Sequence, residues 1–268
     1  MAYLFNISLI KNRKMKKITL LVLVICASFT INGQTADEVL DTYFENIGGK
    51  ENFKKLDGIK LTISINQGGM QIPVEVIRLK GGKQFTSYDL QGKTLYQGVF
   101  DGETLWGSNQ MTMKAEKSPA EDTANHKLTV KDFPDPFLDY KEKGYDVVYE
   151  GKETIDGTET FKIKLTQTPK TIDEKKVDHI SFYFFDTENY VPIAMQQEIL
   201  SGPGKGMVSQ VTFSDYQEVD GLYFAHSMTM GAKGQPGGMV MTISKVELNP
   251  TVEESVFTFP EEITEKKE

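Results

Sequence analysis

Three histidines are the side chains of this sequence best suited to proton transfer or metal binding, but they lie far apart. His126 lies in a polar stretch, and His179 begins a predicted strand after a charged loop. His226 lies on the otherwise apolar face of another predicted strand, where a lone histidine is either a core or rim residue or an isolated ligand. No histidine has a second metal-type ligand at usable spacing, so the sequence predicts no metal site.

The segments that resemble catalytic motifs fail on spacing and context. Residues 202–206 read Gly-Pro-Gly-Lys-Gly, but Met207 stands where a phosphate loop needs Ser or Thr, and strands are predicted on both sides. We predict hairpin loops here and at residues 234–238. No candidate serine stands in a Gly-x-Ser-x-Gly elbow. Acidic residues are numerous, so a two-carboxylate glycosidase stays open, but no pair is indicated. The sequence predicts a protein that is not an enzyme and has no cofactor.

Phenylalanine and methionine side chains on both faces of several predicted strands are the feature of this sequence that best indicates a binding function. Residues 181–185 read Ser-Phe-Tyr-Phe-Phe, and methionines recur on one face of residues 222–230 and 239–243. Methionine fills irregular apolar volume and adapts to varied partners, so this composition suits a cavity that accepts an apolar ligand. Composition alone nevertheless favours the interpretation that these side chains are simply core. The candidate lining residues are Trp106, Phe182, Phe184, Phe224, Met228, Met230, Met239 and Met241.

The elements that must position these residues are mostly strands. Residues 35–56 form the one clear helical stretch, which Thr35 or Asp37 can cap and which Gly48-Gly49 interrupts. Alternating or apolar segments then predict twelve strands. Asp-Gly pairs at 101–102, 156–157 and 220–221 predict hairpin turns. The predicted strands are residues 59–65, 73–80, 84–89, 94–100, 103–113, 145–149, 160–166, 177–186, 192–200, 207–219, 222–230 and 238–246.

Two segments interrupt this meander. Residues 116–125 are predicted to be a polar loop that contains Pro119. Residues 132–143 begin with two prolines and are predicted to form a short helix that covers an apolar region. The charged tail, residues 261–268, is predicted to be frayed.

The N-terminal 34 residues have the order of a secretory signal peptide. Five basic residues precede a 12-residue apolar run at 18–29 and a polar, small-residue exit. The run is shorter than the roughly 18–20 residues needed to span a bilayer, although a retained anchor is the alternative. Met15 is the predicted true start, with cleavage after Gly33 or Gln34. Cys26, the only cysteine, follows Ile25, which disfavours lipidation, so the mature chain is predicted to have no thiol.

Length and charge limit the remaining possibilities. After cleavage 234 residues remain, which suits a single β-rich domain at 35–268. Removing the basic leader changes the formal net charge from −8 to −13. Such a charge favours solubility and disfavours nucleic acid or an anionic membrane as the main partner.

Several motifs together resemble one family of exported proteins. They are Asn46-Ile47-Gly48-Gly49, Leu56-Asp57-Gly58-Ile59, residues 216–224 around Asp220-Gly221, and the closing residues 246–260. The chain resembles the outer-membrane lipoprotein-sorting (LolA-like) family over most of residues 35–260.

This resemblance implies a mainly β fold, a curved antiparallel half-barrel that helices close over an apolar cavity. It also implies a monomeric periplasmic carrier whose partners are a lipid acyl chain or a lipoprotein and, in addition, envelope transport machinery. The alternative is a non-carrier envelope protein that uses the same fold for interaction or sensing.

Overall fold

The computed structural model describes residues 34–67, 69–235 and 237–260, which form three α-helices and one antiparallel sheet of thirteen strands. The predicted fold class, a mainly β protein with a curved open sheet and a few helices, is confirmed. The predicted signal peptide lies outside the described residues except for Gln34, and so do Cys26 and the charged tail. Residues 35–260 are described below as one compact unit.

Two helices at the start of this unit follow from local sequence signals. Helix α1 (Ala36–Asn46) begins with a capping box, in which Thr35 Oγ1 accepts from Glu38 N at 3.2 Å and Glu38 Oε2 accepts from Thr35 N at 2.9 Å. Gly48 separates it from α2 (Lys50–Lys54) and has a φ of +113°. A Cβ at Gly48 would lie 2.2 Å from the carbonyl oxygen of Gly221, so this position requires glycine.

The strands follow in chain order with short turns between most of them. Twelve of the thirteen were predicted, and the exception, β6, has only three residues. Their bounds are β1 (Gly58–Gln67), β2 (Met70–Leu79), β3 (Gln84–Leu90), β4 (Lys93–Phe100), β5 (Leu105–Ser108), β6 (Ala115–Lys117), β7 (Asp146–Ile155), β8 (Thr158–Ile172), β9 (Lys175–Asp186), β10 (Pro192–Glu198), β11 (Val208–Val219), β12 (Leu222–Ala232) and β13 (Met239–Leu248).

The three Asp-Gly turns lie where the sequence predicts them. Asp156 and Gly157 have φ values of +47° and +87°, and Asp220 and Gly221 have φ values of +50° and +83°. Two successive positive φ angles define a type I′ turn, whose twist matches that of the flanking strands. Asp101 works differently, because its carboxylate accepts from the backbone of Glu103 and of Thr104, each at 2.7 Å.

The order of the strands gives the sheet two edges that are consecutive in sequence. The order is β6-β5-β4-β3-β2-β1-β13-β12-β11-β10-β9-β8-β7, so the segment 118–145 must connect one edge to the other. Helix α3 (Ala120–Thr129) belongs to this segment and contacts both β5 and β8. We call residues 118–145 the bridging segment.

The bridging segment differs from its sequence predictions. The predicted polar loop at 116–125 contains the end of β6 and half of α3, which Phe100 supports through a ring contact with His126 at 4.6 Å. The predicted helix at 132–143 is a series of turns that follows a 3₁₀ turn at Val130–Asp132. Its apolar role is nevertheless as expected, since Phe137 and Leu138 are buried in the main core.

The sheet buries apolar side chains on both faces. The inner face is the one covered by α1, α2 and the bridging segment, and it holds the largest core cluster. On the outer face, residues 252–259 pack over β2–β5, where Phe257 is buried and its carbonyl accepts from Trp106 Nε1 at 2.9 Å. A second outer cluster contains Ile155, Phe184 and Ala194.

Candidate functional site

An apolar cavity of about 270 Å³ lies between the helices, the bridging segment and the inner face of the sheet. This volume is close to the lower end of the roughly 300–1,000 Å³ of small-molecule sites. The cavity lies where the main core cluster around α1 meets a second cluster around Ile63, Val74 and Ile243. On one side of the cavity α1 packs directly on the sheet, and at the cavity itself the two elements do not touch.

Most of the cavity wall is aromatic or aliphatic. The helices contribute Tyr43, Ile47 and Phe53, and the bridging segment contributes Phe133, Pro134 and Asp135. The sheet contributes the largest part, and four of its side chains are polar or carry a hydroxyl. The sheet residues are Ile59, Leu61, Val76, Arg78, Tyr183, Pro192, Phe213, Tyr216, Tyr223, Phe224, Ala225, Met228 and Ile243.

A neighbouring depression of about 600 Å³ shares part of this wall. Ile47, Phe213, Tyr216 and Tyr223 line both spaces. The rest of its lining includes acidic and amide side chains at residues 186–189. Because apolar ligands gain free energy only from apolar walls, the smaller cavity is the candidate site.

Two of the eight predicted lining residues, Phe224 and Met228, line the cavity. Both are on β12, whose inner-face residues are Leu222, Phe224 and Met228. Ligand binding by these two residues stays a prediction. The other six predicted residues lie outside the lining of this cavity.

Three of those six continue the inner face away from the cavity. Direct cross-strand pairing places Met228 opposite Met241, and Met230 opposite Met239. Residues two apart on a strand share a face, so the four side chains form a methionine ladder on β12 and β13. Met241 packs on the cluster around Ile243, whereas Met230 is 42% exposed. The ladder therefore runs from the cavity to the exposed end of the hairpin.

The remaining three, Trp106, Phe182 and Phe184, lie on the outer face. Trp106 packs under the C-terminal residues, and Phe184 is fully buried with Ala194. The strand β9 is apolar on both faces, so alternation could not decide which face its phenylalanines occupy. Tyr183 and Phe185 are the inner-face residues of this strand.

Much of the aromatic lining was not predicted from the sequence. Tyr43 and Phe53 are on the helices, where helical spacing indicates only that they are buried. Phe133 belongs to the bridging segment, whose position depends on the order of the strands. One available signal was the pair of prolines that follow Phe133, at positions 134 and 136, since a rigid apolar loop is well suited to cover a cavity.

A buried hydrogen bond anchors the bridging segment to α1 beside the cavity. Tyr43 Oη donates to Asp135 Oδ2 at 2.7 Å, and Phe137 N donates to Asp135 Oδ1 at 2.7 Å. Burial raises the pKa of the Asp135 carboxyl, although these hydrogen bonds oppose that shift. Burial, together with the nearby Asp135, also raises the pKa of Tyr43.

A second polar group lies on the inner face beneath the bridging segment. Asp132 accepts from Tyr145 Oη at 2.5 Å and from Gln167 Nε2 at 2.8 Å. Gln167 is paired across strands with His179, which is buried. Burial and the charge of Lys170 lower the pKa of His179 to about 4, so this imidazole is neutral at pH 7.

No cluster of three or more metal-type ligands occurs among residues 34–67, 69–235 and 237–260. Within the same residues, none of the helices has the length and apolar character needed to cross a membrane. His226 Nδ1 lies 2.9 Å from the Phe224 carbonyl oxygen, within hydrogen-bonding distance. The histidine on the apolar face of β12 therefore has a polar partner in its own strand.

Solved structures with the same architecture place the protein in a fold class. A putative outer membrane lipoprotein-sorting protein domain from Vibrio parahaemolyticus is 14% identical, with a TM-score of 0.50 over 82% of this chain and 94% of that one. A LolA superfamily protein from Nitrosomonas europaea is 13% identical, with a TM-score of 0.51 over 84% and 98%. A DUF1329 family protein from Desulfovibrio piger is 11% identical, with a TM-score of 0.50 over 84% and 98%. The fold is LolA-like, as the sequence motifs predict.

Sequence comparison assigns the chain to a family within this fold class. A family model whose description reads "-like: Uncharacterized protein" matches residues 109–261, which is more than half of the chain. The chain belongs to that family. No curated protein gives a significant match.

Proposed function

We propose that this protein is a periplasmic carrier that binds the acyl chain of a lipid or of a lipoprotein in its inner-face cavity. The observation that carries the proposal is the cavity itself, about 270 Å³ of mostly apolar space inside an otherwise well-filled core. Each methylene transferred from water contributes about 0.8 kcal/mol, so even a short acyl segment would bind usefully.

The methionine ladder supports a route for the chain into the cavity. Met230 is exposed, its partner Met239 is half-buried, and the next pair, Met228 and Met241, leads to the cavity wall. Unbranched thioether side chains can move between rotamers as a flexible chain passes. The fold adds support, because one solved structure with this fold is titled a putative outer membrane lipoprotein-sorting protein domain.

Native mass spectrometry of the exported protein, followed by lipid extraction, tests the proposal directly. The full chain is expressed with its leader and recovered from the periplasm, so that ligands acquired during export are retained. We expect a mass shift that matches a fatty acid, a phospholipid or an acylated peptide. A protein that is empty and that also ignores a fluorescent acyl probe would contradict the carrier function and favour the envelope interaction or sensing alternative.

A matched pair of substitutions locates the ligand. Met228→Gln places an amide in the cavity wall, where an unsatisfied polar group costs about 1–3 kcal/mol, so we expect about 10- to 100-fold weaker binding of the acyl probe. Met111→Gln is the control, because Met111 is 92% exposed in the β5–β6 turn. Probe titration measures both variants. Equal affinity of the Met228 variant and the wild type would show that the ligand does not occupy this cavity.

A further inference from the structure

One cation, Arg78, lies in the wall of the mainly apolar cavity, which also includes the buried Asp135 carboxyl. Arg78 is near the end of β2, and Val74, Val76 and Arg78 share the inner face by alternation. It is the only arginine after the predicted leader. Its guanidinium lies over the ring of Phe133, with Cζ 6.0 Å from the ring centroid, and so faces the bridging segment.

Arg78 has no hydrogen-bonding partner or ion pair among the described residues. The nearest acidic groups are Asp132 and Asp135, which raise its pKa through space, while desolvation has the larger opposite effect. Both carboxylates already accept two hydrogen bonds each, from groups other than Arg78. Arg78 is an exposed residue in the cavity wall, so the five N–H donors of its guanidinium are not used by the described part of the protein.

A second donor without a partner lines the same cavity. Four tyrosines are in the wall, and three of their hydroxyls donate to protein acceptors: Tyr43 to Asp135, Tyr216 to the Pro192 carbonyl and Tyr223 to Glu218. The Tyr183 hydroxyl has no hydrogen bond to any described residue. The charge of Arg78 acts on this hydroxyl by lowering its pKa, against the larger effect of burial, so the two groups are electrostatically coupled.

We propose that Arg78 and Tyr183 bind the anionic head group, a carboxylate or a phosphate, of an amphiphile whose acyl chain fills the cavity. This inference rests on the proposed function and names its ligand class. A guanidinium matches carboxylate and phosphate oxygens with two parallel hydrogen bonds, and a tyrosine hydroxyl supplies a third donor. The cation–π contact with the Phe133 ring favours a guanidinium position at the cavity wall before the ligand arrives.

The charges around this position are compatible with an anion. Lys143 and Lys170 lie on the same side of the sheet as Asp132 and Asp135, and burial lowers the pKa of both lysines. Lys143 donates to the backbone carbonyls of Asp135 and Pro136, and so its charge stays beside the bridging segment. Arg78, Lys143 and Lys170 therefore all interact electrostatically with Asp132, and the first two also interact with Asp135.

Competition with a fluorescent acyl probe distinguishes the head-group site from simple apolar binding. Dodecanoate, dodecyl phosphate and methyl dodecanoate have the same chain and differ in charge. For the wild-type protein we expect at least one anionic ligand to bind about tenfold more tightly than the neutral ester, equivalent to about 1.4 kcal/mol. A preference for dodecanoate would indicate a fatty acid, and a preference for dodecyl phosphate would indicate a phospholipid head group.

Variants then assign the preference to the two side chains. Arg78→Leu should abolish the preference, measured as the ratio of the affinities for the anionic and the neutral ligand, and Arg78→Lys should retain part of it. Tyr183→Phe should reduce it about threefold. Equal affinity of the wild type for neutral and anionic ligands, or an unchanged preference in Arg78→Leu, would overturn the inference alone. Failure of all three ligands to bind would instead overturn the proposed function.

Discussion

The inner and outer faces of β9 carry similar aromatic side chains but meet different covering elements. On the outer face, Phe184 is fully buried against Ala194, and the Lys162 ammonium lies 4.8 Å from the ring centroid of Phe182 and 5.9 Å from that of Phe184. On the inner face, Phe185 packs in the core beneath α1, while its neighbour Tyr183 lines the cavity. A run of apolar residues therefore indicates burial without indicating whether the covering element fills the space.

The same contrast holds between the two ends of the domain sequence. The C-terminal residues 252–259 fit closely on the outer face of β2–β5, and Phe257 and Trp106 are almost fully buried there. The helices at the N-terminus and the bridging segment cover the inner face from two directions and leave a gap between them. The outer face is thus filled by its covering residues, whereas the inner face combines the largest core cluster with the candidate site.

The largest expected effect is on the outer face. Phe257→Ala removes a buried ring, and we expect the free energy of unfolding to fall by about 3–5 kcal/mol. Denaturant unfolding followed by fluorescence of the single tryptophan, which lies under Phe257, measures the change. Acyl-probe affinity under native conditions should be unchanged. A loss of binding with normal stability would mean that the two faces are coupled.

The inner face should carry an additional pH dependence of its own. Because the pKa of His179 is about 4 in the folded state and about 6.5 when exposed, the unfolded chain binds the extra proton between these values. Stability should therefore fall by roughly 1–3 kcal/mol as the pH drops from 6.5 to 4, in addition to the effect of the carboxylates. Urea unfolding of the wild type and of His179→Gln across this range isolates the contribution. Parallel pH curves for the two proteins would contradict it.

The smallest expected effect is again on the outer face. Lys162 pairs with Glu153 at 3.2 Å and Glu150 at 3.6 Å, and its ammonium lies 4.8 Å from the Phe182 ring centroid. Such partly exposed contacts contribute little, so Lys162→Ala should lower the free energy of unfolding by at most about 1 kcal/mol. Lys162→Met is the matched control, because it retains the aliphatic cover. A loss above about 2 kcal/mol, measured by urea unfolding, would show that the outer face depends on these charges.

Much of the fold could be predicted because its signals are local. The capping box at Thr35, the Asp-Gly turns and the period-2 strands each depend on residues close in sequence. The predictions for residues 116–125 and 132–143 were wrong in detail for the opposite reason. Helix α3 contacts β5 and β8, which lie at opposite ends of the sheet. The contacts that stabilise this helix are therefore not visible in its local sequence.

The candidate site could be predicted only in part, because alternation along a strand does not show which of its two faces meets the cavity. On β12 the predicted residues Phe224 and Met228 lie in the cavity wall, but so does Ala225, so alternation alone did not separate lining from other residues. On β9 both faces are aromatic, so the choice of Phe182 and Phe184 over Tyr183 had no local support. Arg78 gave no signal by sequence, because an arginine in an alternating strand is normally at the surface.

The sequence by itself therefore determined which segments become strands, where the hairpins turn and that many apolar side chains are buried. Only the tertiary structure decided which face of each strand meets the helices, and that Arg78 and Tyr183 line one cavity. The physical reason is that strand formation depends on neighbours along the chain, whereas a cavity depends on how well distant elements fill the space between them.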